Sequence, residues 1–571
     1  MSSALRKNLV DLLVASGCEN AEEATKLAST PANGESWTVH VLNSGKVDEL
    51  RFARQLGEFF KSPVDTISAE RIDRASLSLL PSKFVFKHHI LPIEAREDRV
   101  RLATYDVFNG VARRLAEQLV GKKIEWVLVP RSQLLRALKA IYGVGAEAFD
   151  EILKAKGSFE ALDQGVQAVD INAEDPEASV VKFVNQIIRE ALFERATDIH
   201  VEPLENDLRI RYRIDGILHE VAVPQQLRLL QPAIISRLKV MAHMDIAEKR
   251  LPQDGRINLQ HGDQSIDVRV STIPTVNGES ISLRLLTRNE TQEFGFERLD
   301  LSEKQAGLVR TLLQQPNGII LVTGPTGSGK STSLYSFLSS INSVQRRIIT
   351  VEEPVEYRLK GVSQIDVKPD IGLTFANGLR AILRQDPNVV MVGEIRDFDT
   401  AEIAIRAAMT GHLVFSTLHT NDAVTGITRL LDMGIEPFLL ASTVRAFIAQ
   451  RLVRTTCKDC AEDVDYLPDY LKEIGFPLSA GTRFKRGKGC DSCRQTGYKG
   501  RAAIYELCAI NEHLRRLIIR KATGTELKAR AVLDGMDSLR LDGWRRVLKG
   551  QTTIEEVVRV TQADELLAET D

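Results

Sequence analysis

The sequence has little of what marks a disulfide-rich secreted protein, a membrane-spanning chain or a nucleic-acid-binding protein. It contains 6 cysteines in 571 residues, too few for a fold held by disulfide bonds. No run approaches the ~18 consecutive apolar residues that a membrane-spanning helix needs. Lysine plus arginine (75) nearly equal aspartate plus glutamate (77), so no basic surplus attracts nucleic acid or an anionic membrane. The first twenty residues lack the uninterrupted apolar segment of a secretory signal, and we expect a cytosolic protein.

What is present is an ordinary globular composition at a length that requires several domains. Hydrophobic residues make up 43% and charged residues 27%, as in folded domains. The length corresponds to roughly four domains of about 150 residues. Between residues 300 and 450, strand-like runs alternate with helical patterns, which predicts a doubly wound α/β core. These runs are 319–322, 347–351, 389–392 and 413–416.

Changes in pattern along the chain predict the domain boundaries. A loose segment rich in glycine, alanine and acidic residues separates two regions of mixed helix and strand. The predicted order is an N-terminal α/β domain at 1–145, a linker at 146–177, a second α/β domain at 178–290, the α/β core at 291–450, a tetracysteine module at 451–510 and a C-terminal helical region at 511–571.

A P-loop is the strongest motif in the sequence. Residues 324–331 read Gly-Pro-Thr-Gly-Ser-Gly-Lys-Ser directly after a predicted strand and before a predicted helix. Such a loop turns its backbone N–H groups toward phosphate oxygens at the start of a helix. Lys330 is predicted to contact the β and γ phosphates and Ser331 to hold Mg²⁺. The predicted nucleotide-binding residues here are Gly324, Pro325, Thr326, Gly327, Ser328, Gly329, Lys330, Ser331 and Thr332.

Carboxylates follow two other predicted strands. Glu394 comes about sixty residues after the P-loop, at the end of the run 389–392. It suits either Mg²⁺ binding through water or polarisation of the attacking water, and both roles remain open. Glu352, Glu353 and Glu356 end another strand, where clustered carboxylates require a metal or arginines to offset their charge. A solvated acidic loop is the alternative for this second group.

Two histidines flank a further predicted strand. His412 precedes the run 413–416 and His419 follows it, together with Thr417 and Thr420. A lone histidine in such a place is more often structural. Because hydroxyl and imidazole groups can hydrogen bond to a phosphate, this segment is a candidate for contact with the γ-phosphate.

Four cysteines form two C-x-x-C pairs, Cys457 with Cys460 and Cys490 with Cys493, separated by 29 residues. This spacing is compatible with one tetrahedral Cys₄ zinc site. A closed shell of four thiolates leaves no position for a substrate water, so we predict structural zinc. A redox dithiol is the alternative, but the thioredoxin-like context that it requires is missing.

Together these motifs resemble the secretion ATPases of type II secretion and type IV pilus assembly. The resemblance runs from about Pro176 to the C-terminus. The long N-terminal region and the cysteine module are similar to the extension or secretion branch rather than to retraction ATPases. The other segments that carry it are Ala-Thr-Asp-Ile-His-Val-Glu-Pro at 196–203, Leu-Pro-Gln-Asp-Gly-Arg at 251–256, Leu-Arg-Gln-Asp-Pro at 383–387 and Gly-Glu-Ile-Arg-Asp at 393–397.

The resemblance implies a RecA-like core in a ring-shaped homohexamer, with ATP between the second domain and the core. It implies catalytic roles for Glu394, Glu356, Glu352 and His419, and for Arg269 and Arg284 of the second domain. It places four more arginines at the nucleotide: Arg380, Arg384, Arg396 and Arg501. Arginine suits this task because it stays charged and forks onto phosphate oxygens, although each of these arginines alone could equally form a surface ion pair.

The family also implies the function and the partners. ATP hydrolysis, with Mg²⁺ and with Zn²⁺ in a structural role, is coupled to domain motion that powers type II secretion or assembly of a pilus or pseudopilus. The expected partners are an inner-membrane platform protein and the cytoplasmic domain of an assembly protein, which docks on the N-terminal domain. Membrane contact is expected only through these partners, and no nucleic acid is expected. Cyclic-di-GMP binding by the N-terminal domain is disfavoured, because the residues expected for it are not found.

Two other functions remain open. The first is an ATP-binding regulator or scaffold of the same machinery with little turnover, which the presence of Glu394, Glu356 and the histidine segment disfavours. The second is a DNA-translocating or conjugation ATPase, because P-loop hexamers also move nucleic acid. The balanced charge and the absence of a basic tract with interleaved aromatics disfavour it.

Overall fold

The computed structural model describes residues 3–18, 20–29, 36–143, 176–224, 227–261, 264–288, 294–477 and 483–561. The chain divides into two compact units, Met1–Thr287 and Arg288–Asp571. Both combine helices with sheets, so the predicted α/β class is confirmed. The predicted linker at 146–177 lies outside the described residues except for its last two positions, which begin a helix.

Up to residue 143, the described part of the first unit contains seven α-helices and a three-stranded sheet of order β1-β2-β3. Strands β1 and β2 are antiparallel, and β2 and β3 are parallel. The strands are β1 (Leu91–Ala95), β2 (Arg99–Thr104) and β3 (Lys123–Leu128). The helices are α1 (Ser3–Ala15), α2 (Ala21–Leu27), α3 (Trp37–Asn43), α4 (Glu49–Phe60), α5 (Ser82–His88), α6 (Gly110–Val120) and α7 (Arg131–Tyr142).

From residue 176 onward, the described part of the first unit contains a six-stranded sheet of order β6-β5-β4-β9-β8-β7 and two α-helices. A turn at Asp215-Gly216 joins β5 to β6, and both residues have positive φ (48° and 86°), as a tight two-residue hairpin turn requires. The elements are α8 (Pro176–Phe193), β4 (Asp198–Pro203), β5 (Leu208–Ile214), β6 (Ile217–Glu220), α9 (Gln231–Met241), β7 (Gln253–His261), β8 (Gln264–Thr275) and β9 (Gly278–Arg288).

The second unit is built on a seven-stranded sheet of order β12-β11-β13-β14-β10-β15-β18. All neighbours pair in parallel except β18, which is antiparallel to β15. The strands are β10 (Gly318–Thr323), β11 (Ile348–Glu352), β12 (Ser363–Asp366), β13 (Val389–Val392), β14 (Leu413–Leu418), β15 (Val444–Thr456) and β18 (Tyr498–Ala509). Strands β16 (Ala461–Val464) and β17 (Phe484–Gly487) form a separate antiparallel pair.

The strands in the middle of this sheet are buried on both faces, which explains their unbroken apolar runs. In β10, Ile319 and Leu321 pack in one hydrophobic cluster, whereas Ile320 and Val322 pack in another. The described helices of this unit are α10 (Glu303–Leu313), α11 (Lys330–Ile341), α12 (Phe375–Ile382), α13 (Phe398–Met409), α14 (Val424–Asp432), α15 (Pro437–Thr443), α16 (Pro468–Glu473), α17 (Glu512–Ile519), α18 (Gly524–Leu533), α19 (Leu539–Leu548) and α20 (Ile554–Val560).

Along the chain, the two cysteine pairs lie between β15 and β18, which are neighbouring strands of the main sheet. Strand β15 runs through the predicted boundary between residues 450 and 451, and β18 returns antiparallel to it over almost its whole length. The segment that carries the cysteines therefore leaves the sheet at the end of β15 and rejoins it at β18. Among the described helices, none combines the length and the apolar content that crossing a bilayer requires.

Two helical glycines give a matched test of packing against the sheet. A Cβ at Gly426 in α14 would lie 2.5 Å from Cδ1 of Phe447, a fully buried ring of β15. A Cβ at Gly307, on the exposed side of α10, would meet nothing within 4 Å. We expect Gly426→Ala to lower the free energy of unfolding by about 1–3 kcal/mol, because the ring has no room to move.

The control Gly307→Ala is expected to be neutral or stabilising by up to ~1 kcal/mol, because alanine favours helix. Thermal unfolding followed by circular dichroism measures both variants. Equal midpoints for Gly426→Ala and wild type would show that the close packing of α14 on β15 is wrong.

Candidate active site

The loop between β10 and α11 has the backbone geometry of a P-loop. Gly324, Gly327 and Gly329 have φ values of 147°, 79° and 88°, in the region where a Cβ is disfavoured. A Cβ at Gly324 would lie 2.5 Å from the backbone oxygen of Gln450, and one at Gly329 would lie 2.8 Å from its Nε2. Conformation and space therefore both require glycine at Gly324 and Gly329.

Lys330 begins α11 and turns its ammonium into this loop. Its Nζ donates to the carbonyl oxygens of Gly324 (2.8 Å) and Pro325 (3.0 Å). Burial lowers the pKa of Lys330 to about 8, although the charge of Glu394 opposes this effect. A phosphate in the loop would stabilise the charged form of this partly desolvated ammonium. The residues present therefore fit a nucleotide phosphate.

Glu394 and His419 lie side by side at the ends of β13 and β14. Nε2 of His419 is 3.0 Å from Oε2 of Glu394, and Arg396 donates to the other carboxylate oxygen. Burial alone would raise the pKa of Glu394, but Arg396 and His419 hold it below its usual range. The carboxylate is thus ionised at neutral pH and is suited to bind a cation or to accept a proton.

Arg396 also links the acidic segment, residues 352–356, to the pair of Glu394 and His419. Its second terminal nitrogen lies 3.3 Å from Oε2 of Glu353. The guanidinium therefore bridges the segment after β11 and the segment after β13. From the sequence, a metal or arginines are required to offset the clustered carboxylates, and Arg396 offsets the charge of Glu353.

Glu352 differs from the other predicted catalytic carboxylates. It is 4% exposed, and its carboxylate accepts hydrogen bonds from Tyr335, from Thr350 (2.5 Å) and from Gln364 (3.0 Å). Burial raises the pKa of Glu352. Because its oxygens are bound by side chains of α11, β11 and β12, the geometry favours a positioning role over direct contact with a nucleotide.

Glu356 follows on the same segment and is half-buried. Its backbone N–H donates to the hydroxyl of Tyr335 at 3.3 Å, so Tyr335 connects the P-loop helix both to Glu352 and to the Glu356 backbone. The charge of Glu356 acts to raise the pKa of Lys330. A catalytic role for Glu356 stays a prediction.

The predicted arginines of the second unit lie at different places. Arg380 is exposed on α12 and donates to Asn377 (3.3 Å), and Arg384 donates to the backbone oxygen of Arg380 (3.0 Å). Arg501 is exposed on β18, opposite Arg454 of β15. Of the four arginines predicted to contact nucleotide, Arg396 is the one that the structure joins directly to Glu394.

The two predicted arginines of the first unit lie on its six-stranded sheet. Nε of Arg284 donates to Asp198 at 3.0 Å, and Nε of Arg213 lies 3.6 Å from the other oxygen of that buried carboxylate. Arg269 lies on β8, opposite Arg256 of β7. The contact of Arg269 and Arg284 with nucleotide stays a prediction.

Sequence reasoning missed Gln450, which lies behind the P-loop on β15. Its side chain fills the space that a Cβ at Gly329 would need. Its Oε1 accepts a hydrogen bond from Ser333 of α11 at 2.8 Å. The signal available was a single amide directly after the apolar run 446–449, since a buried polar side chain requires a partner.

The four predicted zinc ligands form one cluster. Their sulfurs all lie within 4.8 Å of one another, with Cys457 to Cys490 at 3.8 Å and Cys460 to Cys493 at 3.7 Å. Zn–S bonds of about 2.3 Å in a tetrahedron give S···S separations of about 3.8 Å. These four residues therefore fit a zinc ion.

Backbone donors around Cys493 favour its thiolate form. The N–H groups of Cys490 and Gly497 point at its Sγ, at 3.2 and 3.3 Å. Burial alone would raise the pKa of this thiol, but the backbone donors hold it at about 7. A thiolate is the form that binds metal, so the surroundings of the cluster also fit zinc.

Comparison with known proteins identifies the class. Residues 173–559 match the family model described as "Type II/IV secretion system protein", and residues 60–148 match the model described as "MshEN domain". The first match covers more than half of the chain. The chain therefore belongs to the family of type II and type IV secretion ATPases.

Similar proteins come from both branches of this family. Type II secretion system protein E of Pseudomonas aeruginosa is 45% identical over 85% of this chain and 96% of its own length. Type IV pilus assembly ATPase PilB of Myxococcus xanthus is 40% identical over 93% of this chain and 94% of its own. Type II secretion system protein E of Aeromonas hydrophila is 50% identical over 71% and 80%. The chain is an ATPase of this group.

Substitution of one cysteine of the cluster tests the zinc site. We expect wild type to carry about one zinc per chain and Cys457→Ser to lose it, with faster proteolysis between residues 457 and 497, because three ligands bind zinc far more weakly than four. Atomic emission spectroscopy of the purified protein measures zinc content.

Cys508→Ser is the matched control, since Cys508 is also buried but lies on β18 outside the cluster. It should keep full zinc content. Unchanged zinc in Cys457→Ser would contradict the assignment.

Proposed function

We propose that this chain is a cytoplasmic motor that works as a ring-shaped homohexamer, at the inner membrane through partner proteins. Its ATP hydrolysis drives domain motion that powers type II secretion or assembly of a type IV pilus or pseudopilus. The observation that carries the proposal is the placement of Lys330 inside the loop beside an edge where Glu394 and His419 are 3.0 Å apart. Relatives of both branches match, so the proposal covers both pathways.

In this proposal the loop and Lys330 hold the phosphates, and Ser331 is a ligand of Mg²⁺. When bound, Mg²⁺ would supply positive charge that offsets the charge of the phosphates. Glu394 is held ionised by Arg396 and His419, so it orients the attacking water and accepts its proton. The bond to His419 fixes the carboxylate in one orientation. Glu356 acts with Glu394 in positioning or activating the water, and Glu352 holds the acidic segment in place through Tyr335.

Arginines complete the proposed site. Arg396 already contacts Glu394 and Glu353. Arg380, Arg384 and Arg501, with Arg269 and Arg284 of the first unit, would neutralise charge on the phosphates once the hexamer assembles. Arg284 is now held by Asp198, and it would exchange this partner for a phosphate oxygen.

The remaining regions have structural and docking roles in the proposal. The N-terminal domain (1–145) binds the cytoplasmic domain of an assembly protein, and the linker (146–177) joins it to the second domain (178–290). Zinc holds the module at 451–510 beside the core (291–450) and the C-terminal helices (511–571). The absence of cyclic-di-GMP binding by the N-terminal domain stays a prediction, as do these boundaries.

The alternative function is an ATP-binding regulator or scaffold with little turnover. It would share the fold and the P-loop but would have no need for an ionised carboxylate beside it. The bonds that keep Glu394 ionised favour the motor.

Two substitutions test the proposal. Lys330→Ala removes the cation from the loop, and Glu394→Gln removes the proton acceptor while preserving shape. We expect each to lower steady-state ATP turnover at least about 100-fold with an unchanged circular dichroism spectrum. Glu394→Gln should still bind a fluorescent ATP analogue, because Lys330 is intact.

Glu402→Gln is the matched control, since this carboxylate pairs with Arg406 one turn further along the same helix, α13. It should hydrolyse ATP at the wild-type rate. Wild-type turnover in Glu394→Gln would contradict the catalytic assignment, and nucleotide binding without turnover in wild type would favour the regulator.

Light scattering tests the hexamer. Glu394→Gln with Mg²⁺ and ATP traps the protein before hydrolysis, so we expect a particle of about six protomers of 63.5 kDa each. Lys330→Ala under the same conditions is the control and should stay smaller. A monomer for Glu394→Gln at all protein and ATP concentrations, with the platform protein present, would contradict the proposal.

A further inference from the structure

Glu506 on β18 is a buried carboxylate that the proposed mechanism does not use. It is 2% exposed, and each of its oxygens accepts a backbone N–H from a different element. Oε1 accepts from Ala423 at 2.9 Å, and Oε2 accepts from Leu539 at 3.3 Å. Burying a carboxylate is costly unless both oxygens are bound, so Glu506 holds these two backbone positions together.

The first of these positions ends the loop that carries His419. Between His419 and α14, the backbone oxygen of Asp422 accepts a hydrogen bond from Thr323, the last residue of β10 before the P-loop, at 3.3 Å. Arg451 of β15 donates to the backbone oxygen of Asn421 at 3.0 Å. We call residues 419–423 the histidine loop. It is fixed at one end by Glu394, in the middle by β10 and β15, and at the other end by Glu506.

The second position is the first residue of α19. This helix is fastened to β18 a second time, because Oδ2 of Asp542 accepts the backbone N–H of Tyr505 at 2.9 Å. The other oxygen of Asp542 accepts from Gln305 at 3.0 Å. Of these two carboxylates, Glu506 is the one that joins α19 to the histidine loop.

We propose that Glu506 is a positioning residue for ATP hydrolysis. Its hydrogen bond to Ala423 fixes the position of the histidine loop, and its hydrogen bond to Leu539 couples that position to the C-terminal helices. Displacement of α19 would leave one oxygen of Glu506 unpaired, so the loop and the helix move together. The C-terminal helices thereby control the orientation of His419 and of the Glu394 carboxylate. This inference rests on the proposed function, since it requires that Glu394 and His419 act in hydrolysis.

A double-mutant cycle tests this coupling. Glu506→Gln keeps one acceptor oxygen and turns an amide NH₂ group toward the other backbone N–H. We expect it to lower kcat about tenfold while KM and the affinity for a fluorescent ATP analogue change less than about twofold. If Glu506 acts through His419, Glu506→Gln should cause no further loss of kcat in a His419→Ala background.

The matched control is Asp542→Asn, a buried carboxylate on α19 that also binds β18. Its effect on kcat should multiply with that of His419→Ala, because it does not reach the histidine loop directly. The proposal would be overturned if the losses of kcat caused by Glu506→Gln and His419→Ala multiply in the double variant. An unchanged kcat in Glu506→Gln would also overturn it.

Ala423→Pro removes the same hydrogen bond by changing its donor, and it replaces Glu506→Gln in the test if that variant fails to fold. It removes the N–H that Glu506 accepts, and the φ of −71° at Ala423 is one that proline adopts. It should reproduce the loss of kcat and its dependence on His419. Wild-type rates in Glu394→Gln would refute the proposed function itself, whereas a loss in Glu394→Gln combined with an independent effect of Glu506→Gln would refute the coupling alone.

Discussion

The parallel order of β11, β13, β14 and β10 is the constraint on which the site depends. Parallel strands end at the same edge of a sheet, so segments far apart in the chain meet there. The P-loop follows β10, Glu394 follows β13 and His419 follows β14. This order brings Oε2 of Glu394 to 3.0 Å from Nε2 of His419. It also places the P-loop, with the ammonium of Lys330 inside it, at the same edge.

Several charged side chains lie at or near this edge, and the carboxylates among them have two kinds of surroundings. Glu394 is kept ionised, because Arg396 and His419 outweigh its burial. Glu352 and Glu506 are nearly inaccessible and have both oxygens bound by the protein. The buried carboxylates fix the segments that surround the site, so the ionised carboxylate has a defined position for chemistry.

Motifs with local geometry could be predicted from the sequence, whereas contacts between distant strands could not. The P-loop, the cysteine pairs and the strands that end before Glu394 and His419 are encoded in short segments. The three carboxylates from 352 to 356 are nearly adjacent, and only the packing of α11 shows that Glu352 points inward to Tyr335. Gln450 and Glu506 lie more than 100 residues from the P-loop and reach its surroundings only because β15 and β18 extend the sheet beyond β10.

A crystal structure of Glu394→Gln with Mg²⁺ and ATP is the sharpest test of how the P-loop and Glu394 act together. We expect the triphosphate in the Gly324–Ser331 loop, with Lys330 Nζ moved from the carbonyl oxygens of Gly324 and Pro325 to the β and γ phosphate oxygens. We also expect the γ-phosphate next to the side chain at position 394 and His419. A nucleotide bound elsewhere, or Lys330 still bonded to the two carbonyls beneath a bound triphosphate, would contradict this expectation.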